Sequence, residues 1–133
     1  MKKSHQNVII LSAESNDKTF EGNRQRTLNL KGCLEDLNIS HNEALGVRKE
    51  SQEVSFVCLP KNSAEIEVLK DFAFENFNQE SVLYQDVNGL CHLEYEDGTS
   101  ESIGRFRTAN AKEIELLENY TVLNGVVYTT GKL

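Results

Sequence analysis

The sequence predicts an α+β domain: a mainly antiparallel sheet with two helices packed on one face, arranged as a ferredoxin-like βαββαβ core with a C-terminal β-hairpin extension. Two observations carry this. Two segments, 21–37 and 63–77, space their apolar residues for a helix, and strand-like runs surround them. In the second half, Asn88-Gly89, Asp97-Gly98 and Asn124-Gly125 each divide two such runs, and these pairs supply the positive φ angles of tight hairpin turns. Length sets the scale, since 133 residues with 38% hydrophobic and 26% charged side chains make one domain, 1–133.

Val8-Ile9-Ile10-Leu11 is a short apolar run suited to a first strand buried on both faces. Leu30, Leu34 and Leu37 then recur at helical spacing within Glu21 to Leu37, and Gly32 weakens that helix by about 1 kcal/mol relative to alanine, a cost that close packing on the sheet would explain. Glu43 to Arg48 and Glu53 to Leu59 read as two strands, the second closed by Pro60. Ser63 is placed to cap a second helix with Ile66, Leu69, Phe72, Ala73 and Phe77 on its buried stripe. Val54, Phe56 and Leu69 are expected in one core. Val82 to Val87, Leu90 to Tyr95 and Ser102 to Arg107 form a meander. Its middle strand turns Cys91, Leu93 and Tyr95 to one face and His92, Glu94 and Glu96 to the other. A third helix is expected over Ala111 to Asn119, then a terminal hairpin from Tyr120-Leu123 and Val126-Thr129.

Charge narrows the function classes. The net charge of −7 argues against direct nucleic-acid binding, which needs a basic footprint. The imbalance is local: residues 1–61 carry a balance of +1 and residues 62–133 a balance of −8. Glu94, Glu96, Asp97 and Glu101 concentrate around one hairpin, a possible protein-binding acidic surface or an imitation of nucleic acid, set against ordinary solubilising charge. The apolar run after Met1-Lys2-Lys3 is too short for an export core, and nothing approaches the ~18 apolar residues of a membrane span, so a cytoplasmic location is expected, with no membrane partner. Cys33, Cys58 and Cys91 are widely spaced and read as free, buried thiols.

Catalytic motifs are absent. There is no Gly-x-Ser-x-Gly, Walker or Gly-x-Gly-x-x-Gly pattern, and no cofactor is expected. For a metal, His5 sits at the terminus and His41 in a loop, and the pair His92 and Glu94 offers only half of a site, so no metal is expected either. Arg24 and Arg26 stand at the start of the first helix, where cations oppose the helix dipole, so a salt bridge or an anion should explain them.

Several short motifs, taken in order, resemble a known family. These are Ser12-Ala13 ending a strand, Asn23 and Arg26 opening a helix, Glu53 before Ser55-Phe56, and Phe77-Asn78-Gln79 leading into an apolar strand. Together they resemble the uncharacterised domain-of-unknown-function family 3293, small bacterial and phage proteins, over roughly residues 7–87, with 88–133 as a β-rich extension. Glu14-Ser15-Asn16 departs from that family's aromatic-Asn-Pro, and Asn78 from its usual Gly. The resemblance implies no established activity, but it collects a polar cluster: Ser12, Asn23, Arg26, Glu53, Ser55 and Gln79. That cluster reads either as a ligand seat or as a buried network with Arg26 paired to Glu53, the pairing being favoured. The leading functional expectation is a small non-enzymatic accessory or modulator protein, plausibly phage-encoded and acting in the host cytoplasm, which binds a host protein or a small anionic ligand. The alternatives are a small enzyme on a phosphate-bearing or nucleotide-like substrate, with Arg26 stabilising charge and Glu53 as acid or base, and an acidic nucleic-acid mimic.

Overall fold

The computed structural model describes residues 6–48 and 51–131, and these form one antiparallel sheet of nine strands. Strand β1 (Val8–Ser12) lies between β3 (Ser51–Leu59) and β4 (Ser81–Gln85), with Ile9 opposite Cys58 on one side and Tyr84 on the other. Strand β2 (Ser40–Arg48) pairs with β3 along its whole length, from Ser40 with Leu59 to Arg48 with Ser51. Left alone, this set would expose the unpaired N–H and C=O groups of two edge strands. The remaining strands cover both edges: β5 (Leu90–Tyr95) and β6 (Ser100–Arg105) continue from β4, while β8 (Asn119–Leu123), β9 (Val126–Thr129) and β7 (Arg107–Ala109) continue from β2.

This corrects the expected fold class. The chain is a nearly closed nine-stranded antiparallel barrel with few helices, not a ferredoxin-like core with an appended hairpin. Connectivity supplies the physical reason. Strands β6 and β7 occupy opposite ends of the sheet, yet only Phe106 separates them in sequence. A one-residue link cannot span a flat sheet of nine strands, so the sheet must roll until its ends meet. The sequence shows each hairpin but not which edge it joins.

The helices differ from expectation at their ends. Helix α1 (Phe20–Asp36) is capped by Thr19, whose hydroxyl accepts from the Gly22 N–H at 3.0 Å. Leu30 and Leu34 are buried, whereas Leu37 lies past the helix end and is exposed. Helix α2 (Ser63–Asp71) is capped by Asn62 rather than Ser63, and Asn62 Oδ1 accepts from the Glu65 N–H at 2.9 Å. It runs into a π-helical turn, Phe72–Asn76. Helix α3 (Ala111–Ile114) is a single turn closed by a capping box between Asn110 and Glu113. It stops short of the expected Asn119 because that residue starts β8, opposite Arg48.

The pleat gives the sheet two unlike faces. Ile9, Leu11, Phe56, Cys58 and Val82 point to the helices and pack with Leu30, Leu34, Leu69, Ala73 and Phe77 in one buried core. Residues of the other parity point to the opposite face, where Val8, Ile10, Val57, Gln85, Phe106, Thr121, Leu123 and Tyr128 line a cleft of about 170 Å³. Only a sheet curved toward that face brings β4, β9 and Phe106 around one space, so the cleft face is concave.

Candidate active site

Pairing between β1 and β3 ends at Ser12 and Ser55, and side chains take over the backbone groups beyond it. The Ser12 hydroxyl donates to the Val54 carbonyl at 2.8 Å and accepts from the Glu14 N–H at 3.1 Å. The Glu14 carboxylate accepts from the Val54 N–H. Three more side chains fasten the segment after β1. Asn23 bonds both backbone groups of Ser15, at 2.8 and 3.0 Å, and Gln79 Nε2 donates to the Glu14 carbonyl at 2.9 Å. Arg26 Nε donates to the Ala13 carbonyl at 2.6 Å, its second donor bonds the Phe77 carbonyl, and its guanidinium lies over the Phe77 ring, 5.6 Å from the centroid.

The π-helical turn makes this clamp possible. Its wide last turn and the positive φ of Asn78 (52°) bring Phe77 and Gln79 back toward residues 13–15. Asn tolerates the left-handed conformation that makes Gly the usual occupant of such a position.

The expected Arg26–Glu53 pair does not form, because the guanidinium is spent on the carbonyls of Ala13 and Phe77. Glu53 faces a different partner. It pairs across the ladder with Gly46, on the concave face that also carries Ser55 and Val57. Partial burial of its carboxyl, and then the neighbouring Glu14 carboxylate, push its pKa above the ordinary glutamate value, with Arg48 opposing them. The clamp therefore holds Glu14 beside Glu53, and the two carboxylates define the polar end of the concave face. Between them and the apolar cleft lie the buried Ser12 and Ser55. Gly46 is also there, where a Cβ would come within 3.3 Å of Ser55 Oγ.

Other candidates disperse. Glu94 pairs across the ladder with Ser100 and Glu101 with Leu93, so these two acidic residues point to opposite faces. Glu94 turns to Lys70 at 2.6 Å, its shielded Oε1 having no aligned hydrogen bond, while Glu101 accepts from the Tyr95 hydroxyl at 3.3 Å. Asp97 holds its own turn through the Thr99 N–H and hydroxyl, and Glu96 is exposed at the same tip. His92 does not join Glu94: its Nε2 lies 3.0 Å from Asp86 and its Nδ1 3.4 Å from Ser102. Among the described residues no cluster of three or more His, Cys, Asp or Glu is placed to hold a metal ion, and His5 lies outside them. Cys33, Cys58 and Cys91 are free thiols, and burial pushes Cys58 up to about 12, the behaviour of an inert core residue. Among the described residues no helix is long and apolar enough to cross a membrane.

The reading from sequence missed Glu14, Gly46 and the cleft. A signal existed, since 8, 10, 12 and 14 share one parity of the first strand and its continuation, which sets Glu14 on the face of Val8, Ile10 and Ser12.

Fold and site together define a class: a small rolled-sheet protein whose concave face carries an apolar cleft and a pair of carboxylates. The family model of the S-adenosylmethionine lyase family matches residues 9–131, and the chain belongs to that family. No curated protein matches it. The family match replaces the resemblance to family 3293, and with it the non-enzymatic modulator of plausible phage origin; the enzyme alternative fits better. The misleading motifs had a structural cause. Ser12, Asn23, Arg26 and Gln79 fasten a strand end to a helix start, a task many unrelated sheets share. The match also extends past residue 87, to residue 131.

Proposed function

We propose that this protein is a lyase that breaks a carbon–sulfur bond of S-adenosylmethionine. The observation that carries the reading is the family match across residues 9–131, which takes in the clamp, the carboxylate pair and the cleft lining other than Val8. The substrate's sulfonium leaves as a neutral thioether, so its departure needs no acid. Its own carboxylate reaches the γ-carbon through a five-membered ring. As the O–Cγ bond forms the Cγ–S bond breaks, its electron pair stays on sulfur, and 5′-methylthioadenosine and homoserine lactone result without water, proton transfer or redox change.

Such a step asks the protein for conformation and charge placement. A carboxylate and a sulfonium annihilate each other's charge in the transition state, which surroundings of low polarity favour. A protein carboxylate held against the sulfonium would stabilise the ground state more than the transition state. Glu53 and Glu14 therefore serve best at the substrate ammonium, whose charge persists throughout, leaving the substrate carboxylate free to curl onto the γ-carbon.

The test is incubation of the purified chain with S-adenosylmethionine in ¹⁸O-labelled water, read by mass spectrometry. Methylthioadenosine with unlabelled lactone as the first product is expected; unconsumed substrate, or labelled homoserine appearing first, refutes the reading. Glu53→Gln should lower kcat/KM about 10- to 100-fold, the loss of one hydrogen bond to a charged group.

A further inference from the structure

We infer that Asp86, His92 and Ser102 form a second, hydrolytic site, separate from the carboxylate pair, which takes a small uncharged or cationic carboxylic ester. Three strands assemble it on the helix-bearing face of the sheet. His92 of β5 stands across the ladder from Tyr84 of β4 on one side and from Ser102 of β6 on the other. Asp86 follows β4 in the hairpin turn, where its Oδ1 accepts from the Asn88 and Leu90 N–H groups at 2.9 and 3.1 Å. That leaves Oδ2 for His92 Nε2, at 3.0 Å, while the Ser102 hydroxyl lies 3.4 Å from His92 Nδ1. The register of β5 with β6 shifts between Cys91 and His92, which makes Ile103 an extra residue beside Ser102, and such bulges re-aim neighbouring side chains.

The partners fix the protons. The bond to His92 first, and then the two backbone bonds, hold the Asp86 carboxyl below the ordinary aspartate value, so it is ionised and only accepts. Nε2 therefore carries the ring proton, and Nδ1 presents its lone pair to the Ser102 hydroxyl. An acid that orients a base, which in turn meets a hydroxyl, is the arrangement of an activated nucleophile, and its contacts are often long before substrate binds. Ser102 is exposed, whereas His92 and Asp86 are partly buried and the Tyr84 ring flanks the imidazole with centroids 6.3 Å apart. Among the described residues β6 has a strand on one side alone, so N–H groups on its outer edge carry no ladder bond and are free to hold the oxygen of a tetrahedral intermediate. Charge sets the substrate class. Lys70 is taken by Glu94, and Glu96, Asp97 and Glu101 surround the adjoining turn, which repels an anionic ester.

In the reaction Ser102 Oγ bonds the ester carbonyl carbon as its proton passes to Nδ1. The intermediate collapses, the bond to the alcohol oxygen breaks, and that oxygen takes the proton from Nδ1. Water then attacks the acyl group in the same way, releasing the acid and returning the proton to Ser102.

The probe is para-nitrophenyl acetate, small and uncharged, mixed with the purified full chain and followed by stopped-flow absorbance. A burst of one nitrophenolate per chain is expected, with the acetyl group found on Ser102 by peptide mass spectrometry. Ser102→Ala, at an exposed position, should abolish the burst and lower turnover at least about 100-fold. Asp86→Asn keeps Oδ1 in the turn but sets a donor against Nε2, which moves the ring proton to Nδ1 and removes the base from Ser102, so its burst should vanish too. The anionic hemisuccinate ester should react about tenfold more slowly than the acetate. The inference is overturned if wild type gives no burst, if the acetyl group sits on lysines instead, or if a Ser102→Ala chain that melts like wild type turns over as fast. Equal rates for the two esters would overturn the charge preference. S-adenosylmethionine takes no part in the assay, so this site and the lyase reading stand or fall separately.

Discussion

The two faces of the sheet are built from the same strands and do opposite work. On the convex face Ile9, Leu11, Phe56 and Cys58 are at most 3% exposed and meet Leu30, Leu34 and Leu69. One residue along on the same strands, Ile10 and Val57 are only half-buried and line an open cleft. Apolar surface left in a cleft is stabilisation forgone, since each buried CH₂ contributes about 0.8 kcal/mol. The alternation in β1 and β3 thus divides holding the fold from receiving a ligand, and the clamp around residues 13–15 joins the two tasks at the strand end.

The division is broken most forcefully at Phe56. Removing that ring should cost about 3–5 kcal/mol, read by urea unfolding. A loss below about 1 kcal/mol would show that the convex face does not carry stability.

Arg26 sharpens the comparison because it belongs to the fold and yet serves the site. Arg26→Ala removes charge-assisted bonds to two carbonyls, at about 1.5–3 kcal/mol for such a donor. As Arg26 and Glu53 are not paired, the double variant with Glu53→Ala should lose the sum of the single losses to within about 0.5 kcal/mol. Strong non-additivity in a thermodynamic cycle would restore a direct pair.

Glu53 belongs to the concave face alone, and its expected effect is on pH dependence. Its carboxyl has a raised pKa, so the folded chain favours the protonated form. This contribution to stability is complete below the ordinary glutamate value and is lost as pH rises through the folded-state value. Glu53→Gln should therefore unfold at neutral pH no more easily than wild type. Activity has the opposite sign. An ionised Glu53 is needed at the ammonium, so kcat/KM should fall on acidification at a pH above that of an ordinary glutamate, and the acid limb should shift in Glu53→Gln. A limb unmoved by the substitution would take Glu53 out of the groove.

Local order was legible in the sequence because its signals are local. Asn124-Gly125 marks the terminal hairpin where it lies, and Leu30 and Leu34 mark the buried side of α1. What stayed hidden depends on closure: that Phe106 draws the two sheet ends together, and that Val8 and Thr121 therefore line one space. The site was legible in part. Ser12, Asn23, Arg26 and Gln79 lie around one strand end, whereas the expected Arg26–Glu53 pair is absent, since sequence shows charges and not the carbonyls that a π-helical turn brings within reach.

The smallest expected effect lies at Gly46, between the two ends of the groove. A Cβ there would meet Ser55 Oγ at 3.3 Å, tight but relieved by a shift of a few tenths of an ångström. Alanine in a strand is favoured over glycine by roughly 0.5–1 kcal/mol, which offsets that crowding, so Gly46→Ala should change stability by less than about 1 kcal/mol of either sign. The same methyl group projects from the concave face, where the ribose and sulfur of a ligand bridging cleft and carboxylates would pass. KM for S-adenosylmethionine should rise. An unchanged KM in a stable Gly46→Ala variant would mean that the ligand does not cross this stretch of the sheet, and that the cleft and the carboxylate pair are separate places.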